Sequence, residues 1–372
     1  MPGPIEVGEQ RGWAELLWLT CHVSAGRHDA ILESFAEASD PALLLGALRG
    51  YATHGELDVT PELLDIVVGH VCAEEPHAAL MGLEVLTEWL DGRATLPTAQ
   101  LERLVGTFGV ERSAKWGNTK WDLGTELVVA LVPVAAQPGS QGEELAALVR
   151  PKTRDANKAM RKRASYLLTA RAIATSNALE LGTWLGDRDA SIRSGAMDRV
   201  MHWVVGGSPQ RYLTLTDDAV ERASSLLPRA GDLSTPRARC GLAEGICDAL
   251  APRRELPPSR NNATKEAKEL IKKMSHPDAQ QRRESARLAG LALDMVDCRV
   301  AAPFLAATLF DEEVEIRRAA ADALYFVVDL TGGAPVVRVT VRTLERALAS
   351  EKDAEARERI DAILRAAAHP AA

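Results

Sequence analysis

The residues of this chain best suited to chemistry stand in one short run, Trp116-Gly117-Asn118-Thr119-Lys120-Trp121-Asp122, with Glu126 just beyond it. Two indoles offer flat apolar faces, Lys120 an ammonium, and Asp122 and Glu126 two carboxylates. Such a set could stack a planar group and move a proton beside it. The spacing predicts a turn that opens a helix over 123–132, with the indoles lining a cleft. The simpler reading of the same indoles is an apolar cap between packed helices.

A second constellation is charged. From Arg150 to Arg171 the chain carries Arg150, Lys152, Arg154, Lys158, Arg161, Lys162, Arg163 and Arg171 against the single acid Asp155. A helix beginning near Ala156 would set Lys158 and Lys162, with Arg154, along one side, a cradle for phosphates or for an acidic protein surface. The simpler reading is a solvated helix edge that answers an acidic N-terminal half. Further on, basic residues recur from Arg253 to Arg287, diluted by five acids. The loop Pro252 to Asn262, rich in Pro, Asn and Arg, is longer than a connection between packed helices needs.

Other chemistries find little footing. His70, Cys72 and His77 lack the i, i+4 spacing that would put two ligands on one helix face, and no metal is expected. Cys240 and Cys247 sit seven apart on an expected helix and read as small buried apolar residues. The five cysteines are scattered and never form Cys-x-x-Cys, which argues against a disulfide framework. Neither Gly-x4-Gly-Lys-Ser/Thr nor Gly-x-Gly-x-x-Gly occurs, so no cofactor is expected.

The elements that must position these residues are helices. Apolar residues make up 46% of the 372 positions but aromatics only 4%, so Ala, Leu and Val must build the core. Ala and Leu also favour helix. No apolar run reaches the roughly 20 residues that span a bilayer, and residues 1–10 lack the basic and apolar regions of a signal peptide. A cytoplasmic protein off the membrane is expected. The net charge of −8 conceals an asymmetry: residues 1–150 carry 9 basic and 22 acidic side chains, and the remainder 35 and 30. Such polarity can orient the chain on a charged partner. High Ala and Arg content is the mark of a GC-rich, bacterial-type genome.

One phrase recurs: an acidic or turn residue, an Arg six positions on, then a small residue three further. It runs Asp155, Arg161, Ala164; Asp187, Arg193, Ala196; and Asp311, Arg317, Ala320, with weaker copies at His276/Arg282 and Glu351/Arg357. Around it, helical stripes face one another across a turn: Phe304, Leu305 and Leu309 before Asp311, then Ile316, Ala320, Ala323, Leu324 and Val327 after it. Leu181, Trp184 and Leu185 pair likewise with Ile192, Ala196, Val200 and Val204. The N-terminal third keeps the pattern without the Arg, as in Leu63, Val67 and Val71 before Leu80, Leu83 and Leu86. A further hairpin is expected over Ile31 to Thr53. The Arg positions recur at 32 to 46 residues, a period of degenerate helical repeats.

The run Asp311-Glu312-Glu313-Val314-Glu315-Ile316-Arg317-Arg318-Ala319-Ala320 resembles HEAT repeats. The resemblance implies an all-α, right-handed α-solenoid of about eight to nine antiparallel helix pairs, and a scaffold or adaptor that binds a protein partner through its concave surface. The expected segments are divergent acidic repeats over 1–135, repeats with a basic first unit over 142–251, a loop over 252–264 and C-terminal repeats over 265–372. In such stacks the repeated Asp/Arg residues hydrogen-bond between adjacent turns and hold the architecture. The Trp/Asp run also resembles the HEAT-like alkylpurine DNA glycosylases, with Trp121, Asp122 and Arg161 the positions that match in kind, which implies a nucleic-acid-binding alternative. The candidate binding residues are Trp116, Lys120, Trp121, Arg154, Lys158, Arg161, Lys162 and Arg163, and Asp122 and Glu126 are the candidate catalytic carboxylates. In that family the carboxylate lies one helical turn beyond the Trp, where this chain has Thr125, with Glu126 beside it.

Overall fold

A computed structural model of the protein describes residues 59–90, 95–116, 119–206, 216–250, 273–291, 298–331 and 335–368, with positions 30, 33, 45, 48, 49 and 270. The expected hairpin over Ile31 to Thr53, the loop Pro252 to Asn262 and Val327's side chain lie outside the described residues. The chain divides into two units, residues 1–167 and 168–372.

In the first unit, helix α1 (Pro61–Cys72) starts where the Thr60 hydroxyl accepts from the Leu63 amide, with Pro61 at its first position. It buries Leu63, Val67 and Val71 against α2 (Pro76–Leu90), which returns Leu80, Leu83 and Leu86. Helix α3 (Thr98–Gly106) runs into a 3-10 turn, Thr107–Gly109, that buries Phe108. Two strands follow, β1 (Ser113–Trp116) and β2 (Thr119–Asp122), paired antiparallel with Ser113 opposite Asp122 and Trp116 opposite Thr119. This hairpin replaces the expected turn. Trp116, Thr119 and Trp121 are of the aromatic and β-branched types that favour strands. Helices α4 (Leu123–Ala130), α5 (Val132–Ala136) and α6 (Ser140–Val149) come next. A 3-10 segment, Arg150–Arg154, then leads to α7 (Lys158–Ala174), which contains the division between the units.

The second unit is an α-solenoid of helix pairs. They are α8 (Ala178–Leu185) with α9 (Ala190–Val205), α10 (Asp217–Leu226) with α11 (Pro236–Leu250), α13 (Cys298–Thr308) with α14 (Val314–Thr331), and α15 (Pro335–Ser350) with α16 (Ala354–Ala368). Helix α12 (Ala279–Leu291) packs beside α14, and α14 beside α16, so these second helices form one layer. Every stripe residue expected for α8 and α9 is buried, and so are Phe304, Leu305, Leu309, Ile316, Ala320, Ala323 and Leu324. Helices α9 and α11 approach closely at Gly245, where an added Cβ would stand 2.8 Å from the Val200 Cβ.

The recurrent arginines do something more specific than the sequence reading expects. Arg161 Nη1 donates to the carbonyls of Asp155 and Ala156, each at 2.9 Å. Arg193 does the same with Asp187 and Arg188, Arg282 with His276 and Pro277, and Arg317 with Asp311 and Glu312. Each guanidinium thus reaches back five and six residues to turn carbonyls and closes its own turn. Asp155, Asp187 and Asp311 serve the other side of the turn, accepting from the amides of Asn157, Asp189 and Glu313. Links between units of the stack do occur near the C-terminus: Arg282 grips Asp311 at 2.9 and 3.0 Å, and Arg317 grips Glu351 at 2.7 and 3.0 Å.

Neighbour-only stacking, the expectation for a regular solenoid, does not hold throughout. Helix α10 packs on α15, more than a hundred residues away, through Asp217 with Arg338 and Glu221 with Arg342. Asp232, after α10, pairs with Arg346. Among the described residues no helix is long and apolar enough to cross a membrane.

Candidate functional site

The run singled out for chemistry is held by α4 and α7. Asp122 caps α4: its Oδ1 accepts from the Gly124 amide at 3.1 Å and its Oδ2 from the Thr125 hydroxyl at 2.8 Å. A carboxylate at a helix N-terminus is favoured there by the helix dipole. Across from it, Arg163 Nη2 donates to both Asp122 oxygens, at 2.8 and 3.1 Å, while its Nη1 donates to the carbonyls of Phe108 and Val110. Burial works against the Asp122 charge, yet Thr125, Arg163 and the Gly124 amide together hold its pKa below the ordinary value. Gly124 makes room for the guanidinium, since a Cβ there would lie 2.2 Å from Arg163 Cζ.

Glu126, on the first turn of α4, has the opposite fate. Burial first, then the charges of Asp122 and Glu84, push its carboxyl up to about 7. Glu84 lies on α2 and is held by Arg49 at 2.7 Å. Two carboxylates four residues apart therefore differ in character, one fixed as an anion and one able to hold a proton near neutrality. A proton donor poised near neutral pH is the raw material of acid–base chemistry, although structural burial shifts carboxyls in the same way.

The basic segment divides in two. Arg161 and Arg163 are turned to the protein, Arg161 onto turn carbonyls and Arg163, 7% exposed, onto Phe108 and Asp122. Arg154 and Lys158 are exposed, and Lys162 follows Lys158 one helical turn along α7. The helix begins at Lys158 rather than near Ala156, because Asp155 and the Asn157 side chain cap it, so Arg154 sits on the preceding 3-10 segment. The backbones of Trp116, Lys120 and Trp121 belong to the hairpin; their side chains lie outside the described ones. Among the described residues no three of His, Cys, Asp and Glu gather as a metal ion would require. Burial pushes the Cys240 thiol up to about 12, which leaves it inert.

In the second unit the sequence reading missed an open groove of about 560 Å³ across the layer α12, α14 and α16. Gln280, Arg283, Glu284 and Arg287 line it from α12, Glu315, Arg318, Ala319, Asp322 and Ala323 from α14, and Glu355 from α16. Phe326 stands in it 53% exposed, its ring edge-on to Tyr325 with centroids 6.4 Å apart. Of the five large apolar residues exposed among the described ones, three lie on α12 and α14: Leu288, Tyr325 and Phe326. The available signal was Tyr325-Phe326, a bulky aromatic pair in an Ala-rich helix whose inward stripe was already complete.

No protein-family model and no curated protein matches the chain. Solved structures do. A chain of the Kap95p–RanGDP structure is 13% identical with a TM-score of 0.41, covering 95% of this chain and 49% of that one. A chain of the Kap95–Nup1 complex gives 12% and 0.40, covering 92% and 47%. A chain of the Pds5–Scc1 complex gives 11% and 0.25, covering 97% and 72%. This chain thus spans about half the length of the Kap95 matches.

Proposed function

We propose that the protein is a non-catalytic HEAT-like scaffold that holds a protein partner on the helix layer α12, α14 and α16. The observation that carries the reading is the exposed Tyr325/Phe326 pair at an open groove, since apolar residues gathered at one place on a polar surface mark interaction sites. Affinity capture with the tagged full chain under mild salt, with chemical cross-linking and mass spectrometry, tests it. A discrete partner recovered in near-stoichiometric amount is the expected result; no protein recovered with the cross-linked chain overturns it.

A second reading has its own observation. Exposed Arg154 and Lys158, on the 3-10 segment and the helix start that precede Arg163, favour nucleic-acid binding, with base removal from alkylated duplex DNA as its enzymatic form. Each phosphate neutralised would add about −0.9 to the slope of log affinity against log salt. A mobility shift on duplex DNA at low salt, lost on Arg154→Glu with Lys158→Glu, would support this reading. Absence of any shift removes it.

A further inference from the structure

The groove on α12, α14 and α16 has a charge arrangement that selects its occupant. The carboxylates that line it from α14 and α16 are already engaged: Glu315 and Glu355 with Arg318, itself a lining residue, at 3.5 and 3.0 Å, and Asp322 with Arg359 at 3.1 Å. Arg283 and Arg287, one helical turn apart on α12, are exposed and make no ion pair among the described residues. With exposed Glu284 between them, that stretch of α12 keeps an excess of positive charge. Exposed Phe326 lines the same groove together with the small residues Ala319 and Ala323.

Guanidinium groups match discrete carboxylates in a planar, two-pronged fashion, and an exposed ring in a groove with small residues accepts a bulky apolar side chain. We propose that the groove binds an acidic segment of a partner protein bearing Leu or Phe, its carboxylates on Arg283 and Arg287 and its apolar side chain against Phe326. This inference rests on the scaffold reading and names the chemistry of the partner. A nucleic-acid backbone suits the groove less well, because of its cations only Arg283 and Arg287 are left without an ion pair among the described residues, too few for a continuous row of phosphates.

Fluorescence anisotropy tests the proposal with the full chain and labelled dodecapeptides in which Glu alternates with Leu and Phe, beside counterparts with Gln or Lys in place of Glu. The Glu peptide is expected to bind, the Gln peptide more weakly and the Lys peptide not at all. Arg283→Glu with Arg287→Glu should weaken the Glu peptide at least about tenfold, and Phe326→Ala should weaken it several-fold. These residues are exposed, so thermal melts should be unchanged.

Equal binding of Glu and Gln peptides, indifference to Arg283→Glu/Arg287→Glu, or no binding up to about 1 mM overturns the proposal. Concentration-dependent dimerisation in sedimentation runs, abolished by Phe326→Ala, would assign the groove to a second copy and overturn it too. A captured partner retained equally by Arg283→Glu/Arg287→Glu would reject the groove while leaving the scaffold standing. Failure to capture any protein would reject the scaffold itself.

Discussion

Arg163 and Glu126, both neighbours of Asp122, show how two charged residues at one place take unlike roles. Arg163 is buried between Phe108, Val110 and Asp122, and its place exists because residue 124 has no side chain. Gly124→Ala should therefore displace the guanidinium and lower stability by about 1–3 kcal/mol, read from urea unfolding. An unchanged midpoint would mean that Arg163 relocates freely. Glu126 gives a pH signature. Its carboxyl is raised to about 7 from an ordinary 4.5, so the unfolded chain releases that proton first and stability falls as pH climbs between those values. Glu126→Gln should match the wild type near pH 4 and exceed it at pH 8 by on the order of 1 kcal/mol, allowing for solvent screening at this half-open position. A difference that stays constant with pH would contradict this. The Asp122–Arg163 pair was not legible in the sequence, because 41 residues separate the partners and only the hairpin, the 3-10 turn and α7 together bring them close. The sequence reading placed a turn within Trp116 to Asp122 but not the strands Ser113–Trp116 and Thr119–Asp122 that carry it.

At the scale of the element, the repeated Asp-to-Arg spacing marks a helix–turn–helix in which the Arg closes the turn on backbone carbonyls. The recurrence was readable from residues such as Asp187 and Arg193; the atoms it joins were not, since spacing does not separate a side-chain acceptor from a carbonyl. One copy carries more. Asp311, 4% exposed, receives Arg282 bidentately and has Arg239 at 3.6 Å, so it ties α11, α12 and the turn before α14. Burial lowers the Arg239 pKa even with Asp311 beside it. Removing the shared carboxylate would strand two buried guanidinium groups, and Asp311→Ala should cost about 3–5 kcal/mol in equilibrium unfolding. A loss below about 1 kcal/mol would show that the node is solvated in practice. Asp187→Ala, which removes a turn acceptor alone, should cost less.

Across the whole chain, helical-repeat architecture followed from apolar periodicity and from the Arg recurrence, whereas the packing of α10 on α15 did not. That contact depends on complementary charges, Asp217 and Glu221 against Arg338 and Arg342, spaced four residues apart on both helices but remote in sequence. The groove was largely hidden: Tyr325-Phe326 stood out in an Ala-rich helix, but Arg283 and Arg287 look like ordinary surface residues until α12, α14 and α16 are set side by side. The scaffold reading makes the groove the place where a partner sits, and site-specific photo-cross-linking is its most direct measurement. With a benzoyl-phenylalanine placed at Phe326 in one preparation and at Leu179, an apolar residue 81% exposed elsewhere, in another, irradiation in cells should give a discrete protein adduct at the first position and none at the second. Equal adducts at both positions, or none at Phe326, would contradict the account.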